Sequence, residues 1–246
     1  MSIESLAEAI ATAEGVLCLN TPQEGMRWYT TSWRKWLGAQ PACADVLKVI
    51  EADSKQPEWA FEIDREDVHN LAGAGDPLTT FIASQVWGHG DSGYGAYRVA
   101  TALGLTDKGR LSTTFEQSLD KLTKAYEVCQ DDGAVVAYRY LVNDGKMPML
   151  GTAFLTKYLY FIPQTSLQKA LILDALVKEA AAKHVSDRLR QKVDGYGRQT
   201  ATYKNYLDVV DEVVALLSSE YGLPCRPDDV EVALFNLGRR ARTVES

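Results

Sequence analysis

A lysine among aromatic residues is the first candidate for chemistry in this sequence. Lys157 belongs to the stretch Phe154-Leu-Thr-Lys157-Tyr-Leu-Tyr-Phe161. On a helix of 3.6 residues per turn, Lys157 falls at the edge of an apolar stripe, between Phe154 and Phe161. Burial beside aromatic rings disfavours the charged form of an amine and makes it a better nucleophile. The alternative is a lysine whose stem packs on the core while its amine reaches solvent, and the segment alone favours that alternative.

A carboxylate interrupts an apolar run shortly after this lysine. Asp174 lies within Ala170-Leu-Ile-Leu-Asp174-Ala-Leu-Val177. Its simplest role is to cap the N-terminus of a following helix, which keeps the carboxylate ionised and fixed. A fixed carboxylate can also stabilise a positive charge that develops in a transition state. The segment alone favours the cap.

Four glycines punctuate a third segment, residues 88–95, between an apolar helix and an amphipathic one. Such a density of glycine lets the backbone approach a ligand closely and adopt positive φ. The large side chains in and around this segment can stack on a base, hydrogen-bond to its edge or contact a phosphate. We therefore favour a binding loop over a plain interhelical connection. The predicted binding residues are Gln85, Trp87, His89, Asp91, Tyr94 and Arg98.

The elements that would position these residues are predicted to be helices. No alternation of β-branched residues is long enough to require a sheet. Leu150-Gly151-Thr152 fits a short turn between two helices, with Thr152 as the N-cap of the second. We predict an all-α fold in a single domain over residues 1–246, with lobes at roughly 1–130 and 131–246. Apolar residues recur at helical spacing in 3–14, 42–52, 78–86, 94–104, 113–130, 133–143, 152–162, 174–190, 201–220 and 228–237.

Charge is distributed unevenly along the chain. The net charge is −7, which is unusual for a protein that binds nucleic acid. Residues 146–204, however, contain ten basic residues and four acidic ones, a net charge of +6 against −13 for the rest of the chain. One face could therefore bind a polyanion while another repels it. A solvated helix surface gives the same count, so charge alone is weak support for DNA binding.

The remaining composition excludes several classes of protein. The four cysteines occur singly and the three histidines lie far apart, which predicts reduced thiols and no metal site. No stretch approaches the roughly 20 apolar residues that span a membrane. The first residues lack the positive start and apolar run of a signal peptide. We predict a cytoplasmic monomer without a membrane partner.

Taken together, these segments resemble the 8-oxoguanine branch of the helix-hairpin-helix DNA glycosylases. Phe81-Ile-Ala-Ser-Gln85 resembles the early helix of that family, and the glycine-rich loop takes the place of the loop that enters DNA. Leu150-Gly151 followed by Thr156-Lys157 resembles the hairpin with its lysine. Ile172-Leu-Asp174 resembles the segment that supplies an aspartate, and its 17-residue separation from the lysine is close to the family's spacing. The resemblance covers roughly residues 78–190.

The resemblance implies an enzyme that extrudes a modified base from double-stranded DNA and cleaves its N-glycosidic bond. Lys157 would attack C1′ and form a Schiff base, after which β-elimination could nick the strand. Asp174 would stabilise the oxocarbenium-like transition state. Gly151 and Thr152 would contact DNA at the hairpin. The reaction needs no metal and no organic cofactor.

Two features depart from the family pattern. The usual Gly-x-Gly hairpin is reduced to Gly151, with five residues before Lys157, and the loop at 88–95 is longer and richer in glycine and aromatic residues. These departures leave two classes of target open, an oxidised purine and a bulky modified cytosine such as glucosylated hydroxymethylcytosine from phage genomes. The chain also resembles a bacterial group of OGG-fold proteins of about this size, which implies a role in defence against phages.

Two other classes of function stay open. A non-catalytic reader would bind modified DNA without releasing a base. An all-α protein-interaction module, which the negative charge outside the basic stretch favours, would lack the salt-dependent DNA binding of a protein that neutralises phosphates.

Overall fold

The computed structural model describes residues 2–55, 60–106, 113–165 and 168–244. This part of the chain is predominantly helical, which confirms the predicted all-α class. None of its helices is long and apolar enough to cross a membrane. The helices are α1 (Ile3–Ala11), α2 (Ala13–Leu19), α3 (Thr30–Leu37), α4 (Pro41–Asp53), α5 (Arg65–Ala72), α6 (Pro77–His89), α7 (Gly95–Ala102), α8 (Phe115–Asp131), α9 (Ala134–Val142), α10 (Thr152–Phe161), α11 (Ala175–Arg190), α12 (Arg198–Tyr221) and α13 (Pro227–Val244).

A small antiparallel sheet accompanies the helices. Strand β1 (Met26–Trp28) pairs with β2 (Phe61–Ile63), with Met26 opposite Ile63. Each strand has three residues, which is too short for alternation to be recognised in a sequence. The pairing depends on packing, because the buried Trp28 ring lies against Phe61 on the neighbouring strand. The two strands are separated by α3 and α4 in the sequence, and the all-helical pattern of the sequence did not predict their pairing.

The chain divides into two compact units. One unit is Glu24–Lys169, and the other combines Met1–Gln23 with Ala170–Ser246. Residues 131–169, which the sequence analysis placed in the second lobe, lie in the unit formed by the middle of the chain. The reason is local packing, since α9 packs on α8 and α10 packs on α6.

Helix α6 is the centre of the Glu24–Lys169 unit. Its ten residues from Leu78 to Trp87 are all buried, and α4, α5, α7, α8 and α10 pack around it. A helix that is apolar on every side belongs in the middle of a core. Its start is fixed by Asp76, whose carboxylate accepts a hydrogen bond from Thr79 N, and by Pro77 at the first helical position.

Helices α9 and α10 pack together and form the predicted helix-hairpin-helix. The turn between them contains Met149 at φ 65, in the left-handed region that non-glycine residues seldom adopt. The N-cap of α10 is Gly151, so the prediction that Thr152 caps this helix is wrong. Thr152 is already helical, and its hydroxyl forms a 2.8 Å hydrogen bond with the Tyr138 hydroxyl on α9. That bond joins the two helices of the hairpin.

The second unit is built from α1, α2, α11, α12 and α13. Helix α11 packs on α12 and α13, α1 packs on α12, and α2 packs on α13. The buried amide of Asn236 on α13 donates hydrogen bonds to the carbonyls of Cys18 and Thr21, which fixes the chain after α2.

Candidate active site

Lys157 lies on the second helix of the hairpin and is only 9% exposed. Its Nζ is 5.5 Å from the centroid of the Trp87 ring and 5.7 Å from that of Phe154. The side chain is therefore buried against aromatic rings from α6 and from its own helix. It does not extend into solvent, as a snorkelling lysine would.

Gly88 makes the burial of this side chain possible. A Cβ atom at position 88 would lie 2.7 Å from Lys157 Cδ and 3.2 Å from its Cε. Such a contact is well inside van der Waals range, so any larger residue would displace the lysine. The glycine-rich segment predicts a close approach of the backbone to another group. At Gly88 that group is the aliphatic part of the Lys157 side chain.

Phe154, one turn before Lys157, is the centre of a cluster of side chains. The His89 imidazole is stacked on its ring, with centroids 4.1 Å apart and an interplanar angle of 17°. The Arg98 guanidinium lies 4.8 Å from the centroid of the same ring and donates a hydrogen bond to the Met149 carbonyl. Gln85 Nε2 donates to the Phe154 carbonyl over 3.1 Å. Three of the predicted binding residues therefore meet around Phe154.

Polar atoms without hydrogen-bond partners are concentrated in this region. In the described part of the chain, buried atoms of this kind include Gln85 Oε1, Trp87 Nε1, His89 Nε2 and Arg98 Nε. Buried polar groups in native proteins are almost always paired, and exceptions call for an explanation such as a functional role. The concentration of exceptions beside Lys157 supports a ligand site here.

The His89 imidazole is neutral at pH 7. Burial, together with the positive charges of Arg98 and Lys157, lowers its pKa from 6.5 to about 4. The positive charges near Phe154 therefore act, together with burial, against a further positive charge on the His89 imidazole.

This pKa makes the stability of the protein depend on pH. The folded protein disfavours protonation of His89 and the unfolded chain does not, so its stabilisation is complete above pH 6.5 and is lost as the pH falls toward 4. We expect this residue to lower the free energy of unfolding by about 2 kcal/mol between pH 7 and pH 5. Urea unfolding at both pH values measures the loss. His89→Gln should lose less stability than the wild type by that amount, and equal losses would contradict the prediction.

The other predicted residues of the segment have different environments. Trp87 is 2% exposed and packs edge-on against Phe161. Its ring contacts the Lys157 side chain and is too buried to stack on a base. Asp91 is exposed at the edge of an open surface depression of about 460 Å³. Tyr94 is 55% exposed and lies near Tyr97 and the Arg98 guanidinium. The loop itself is shorter than predicted, since α6 continues to His89.

At the hairpin, Gly151 is exposed and a Cβ at this position would meet no atom within 4 Å. The N-terminus of α10 is therefore open at this residue. Thr152 is half-buried by its contact with α9.

Asp174 is the N-cap of α11, as the sequence predicts. Its Oδ1 accepts a 2.9 Å hydrogen bond from Val177 N, and the side chain is half-buried. The irregular segment before it, residues 170–173, is buried and fixed by α12. Tyr203 exchanges hydrogen bonds with the backbone of Leu171, and the Tyr206 hydroxyl donates to the Ile172 carbonyl. The carboxylate is thus rigidly positioned within its unit.

Sequence reasoning missed two residues in each unit. In Glu24–Lys169 they are Phe154, the centre of the cluster, and Gly88, which leaves space for the lysine. In the other unit they are the two tyrosines that anchor the segment before Asp174. Phe154 was visible only as part of an apolar stripe. Tyr203 and Tyr206 lie about 30 residues after the backbone that they bind, and no local pattern connects them to it.

The predicted basic stretch is partly neutralised. Arg188 pairs with Glu212 and Lys204 pairs with Asp208. Two arginines near the C-terminus are also paired, since Arg240 contacts Glu14 and Arg242 contacts Glu179. Other basic side chains on α11, on α12 and in the segment that connects them are exposed to solvent, where they could contact phosphates: Lys183, Arg190, Lys192 and Arg198.

Cysteine and metal chemistry find little support in the described ranges. All four cysteines are free thiols, and burial raises the pKa of Cys43 and Cys129 to about 12, which keeps both unreactive. No group of three or more His, Cys, Asp or Glu side chains within those ranges could hold a metal ion.

An all-α chain with a buried lysine on the second helix of a helix-hairpin-helix has the arrangement of a helix-hairpin-helix DNA glycosylase. Comparison with known protein families identifies the family of the chain. The model of the family described as "Putative 8-oxoguanine DNA glycosylase OGG-like protein" matches residues 19–235, and the chain belongs to this family. The match extends well beyond residues 78–190, which carry the resemblance in sequence motifs. No curated protein and no solved structure gives a significant match.

Proposed function

We propose that this OGG-like protein excises a modified base from DNA through a covalent intermediate on Lys157. The observation that carries the proposal is the burial of the Lys157 amine between Trp87 and Phe154, on the helix where the family resemblance expects the nucleophile. A lysine desolvated by aromatic rings is suited to nucleophilic attack on a sugar carbon.

The proposed reaction begins when the unprotonated Lys157 amine attacks C1′ of the extruded nucleotide. The bond between C1′ and the base breaks, the base leaves with the bonding electrons and takes up a proton, and the attacking nitrogen releases one. Opening of the sugar ring gives a Schiff base between Lys157 and C1′. Loss of a C2′ proton can then expel the 3′ phosphate, which nicks the strand, and hydrolysis of the imine releases the lysine.

Asp174 is proposed to stabilise the positive charge that develops on the sugar as the bond to the base breaks. The bond from Val177 N holds its carboxylate in one orientation. A preorganised charge of this kind lowers the barrier without reorganising during the reaction.

The proposed contacts with DNA follow from what each side chain leaves available. Gln85 commits its Nε2 to the Phe154 carbonyl, so its unpartnered Oε1 is the atom that can accept a hydrogen bond from a base. Tyr94 is exposed enough to fill the gap that the extruded base leaves. The open backbone at Gly151 and Thr152 can receive a phosphate at the start of α10, and Asp91 and Arg98 flank the loop.

The experiment that tests this function is reductive trapping. The protein is incubated with sodium borohydride and duplexes that carry oxidised purines, abasic sites or glucosylated hydroxymethylcytosine, since the target and a role in phage defence are both part of the proposal. Reduction of a Schiff base gives a stable protein–DNA adduct, and base release is measured in parallel. Binding of a modified duplex with neither adduct nor base release would identify a non-catalytic reader instead.

Gly88→Ala is expected to lower kcat of base excision by about a hundredfold with little change in KM, because an ångström of displacement of a reacting group costs about that much. The new methyl group would push on Lys157 Cδ, while alanine is the better helix former at this position. Single-turnover kinetics measure the effect. Gly93→Ala is the matched control, because a Cβ there meets no atom within 4 Å. Equal rates for the two variants would contradict the role of Gly88.

A further inference from the structure

We propose that Phe154 is the stacking platform for the extruded base, and that the His89 imidazole occupies this platform in the unliganded protein. The inference rests on the proposed function, since it concerns how the same site accepts a base. It assigns a binding role to Phe154 and makes His89 the occupant that a base replaces. Its ligand is a planar heteroaromatic base.

The geometry of the two rings is that of a base on an aromatic side chain. Their centroids are 4.1 Å apart and their planes differ by 17°, whereas most other aromatic pairs in the described residues are tilted or edge-on, such as Trp87 with Phe161 at 82°. Imidazole is itself a small nitrogen heterocycle, and its buried Nε2 has no hydrogen-bond partner. In the described part of the chain, the ring contact of this imidazole is its stack on Phe154.

The platform lies within reach of the reacting groups. Lys157 Nζ is 5.7 Å from the Phe154 ring centroid and the Arg98 guanidinium is 4.8 Å from it. A base stacked in the place of His89 would have its sugar attached at the edge of the base. The distance from the centre of a base to the sugar is similar to the distance from the Phe154 ring centroid to Lys157 Nζ. Arg98 would lie beside the same base, and the Gln85 amide is fixed to the backbone of the platform residue.

Gly88 and Gly90 flank His89, and these glycines allow the imidazole to move onto the Phe154 ring and away from it. His89 is the last residue of α6, and Gly90 follows at φ 55, so the chain turns immediately after the histidine. A Cβ at Gly95 would lie 2.5 Å from both Cβ and Cγ of His89. The stacked position of the imidazole thus depends on the absence of a side chain at Gly95. A residue at the end of a helix can move without disrupting the hydrogen bonds of the helix interior.

The charges around His89 favour its role as a replaceable occupant. The charged groups that face it are Arg98 on α7 and Lys157 on α10, and with burial they lower its pKa to about 4. The imidazole is therefore neutral at pH 7 and forms no ion pair that would anchor it. When a base displaces it toward solvent, its pKa should return toward 6.5.

The competing interpretation is that His89 contacts DNA directly, as the sequence analysis predicts. The two interpretations predict opposite effects of a His89→Ala substitution on DNA affinity. A direct contact makes His89→Ala bind DNA more weakly, whereas removal of an occupant from the platform makes it bind more tightly.

Fluorescence titration of a duplex in which 2-aminopurine faces a tetrahydrofuran abasic analogue tests the proposal. We expect His89→Ala to bind about threefold more tightly, because no occupant has to be displaced. Phe154→Leu should bind about tenfold more weakly through loss of stacking, and adding His89→Ala to it should give no gain. Phe61→Leu is the matched control, since it also removes a half-buried ring from an aromatic pair.

A measurement on the wild type covers the case in which a variant fails to fold. Stacking on Phe154 shifts the imidazole proton resonances of His89 upfield, and addition of the same duplex should move them to ordinary positions. Unchanged or weaker binding by His89→Ala, equal effects of the two Phe→Leu variants, or unmoved resonances would overturn the proposal. The two proposals can fail separately. If borohydride trapping succeeds without these effects, only the stacking role of Phe154 is overturned. If these effects occur without trapping, only the proposed covalent excision is overturned.

Discussion

Replacement of Lys157 by glutamine is expected to abolish borohydride trapping and to slow base release by at least roughly a thousandfold, the scale seen when a catalytic nucleophile is removed. Glutamine keeps a polar end of similar length and has no nucleophilic nitrogen. Because glutamine is similar in size to lysine, the substitution should leave the packing against Trp87 and Phe154 largely intact. Gel analysis of the adduct and single-turnover excision kinetics measure the two effects.

Lys48→Gln is the control for this variant. Lys48 is exposed and pairs with Asp45 on the same helix, so its loss should change neither trapping nor rate. An adduct that persists in Lys157→Gln would place the nucleophile on another amine. Full excision activity without any adduct in the wild type would indicate attack by water.

Asp174→Asn is expected to slow excision by about 10²–10³-fold while leaving the free energy of unfolding almost unchanged. Asparagine caps a helix as well as aspartate does, so the bond from Val177 N can be kept. The negative charge is lost, and with it the stabilisation of a cationic transition state. Excision kinetics and urea unfolding of the same preparation measure the two quantities.

Asp64→Asn provides the matched comparison, because Asp64 is also an N-cap and accepts a hydrogen bond from Asp67 N. It should retain the excision rate of the wild type. Asp174→Ala should lose the rate and, in addition, about 1 kcal/mol of stability with the cap. If Asp174→Asn retains the full rate, the residue is a helix cap without a catalytic role.

The sequence predicted the long helices well, because their apolar stripes repeat over several turns. The pattern at 201–220 corresponds to α12 (Arg198–Tyr221), and the pattern at 113–130 to α8 (Phe115–Asp131). The short helices α2, α3 and α5 and the three-residue strands were not predicted, since seven or eight residues display at most two turns of a period. Helix α7 is as short as α3 and α5 but was predicted at 94–104. Helix α6 continues through Gly88 to His89. A glycine within the helix is tolerated here because it leaves space for the Lys157 side chain.

For the site, the sequence located the lysine and its aromatic surroundings but not the direction in which each side chain points. A helical wheel placed Lys157 near Phe154, which the structure confirms. It could not indicate that Trp87, expected at the DNA, lies beneath the lysine, since that depends on how α6 and α10 cross. Thr152 failed as a cap for a similar reason: its hydroxyl has a partner on another helix, and local pattern carries no information on such partners.

The unpartnered polar atoms beside Lys157 have a consequence for the evolution of this protein. A buried donor or acceptor without a partner costs about 1–3 kcal/mol, so Gln85 Oε1 and Trp87 Nε1 each lower the stability of the folded state. Selection for heat resistance alone would favour apolar replacements here and would remove the Gln85 oxygen that is proposed to accept a hydrogen bond from a base. Under the proposed function, these polar side chains at the centre of α6 hold the fold below its attainable stability because the ligand requires them.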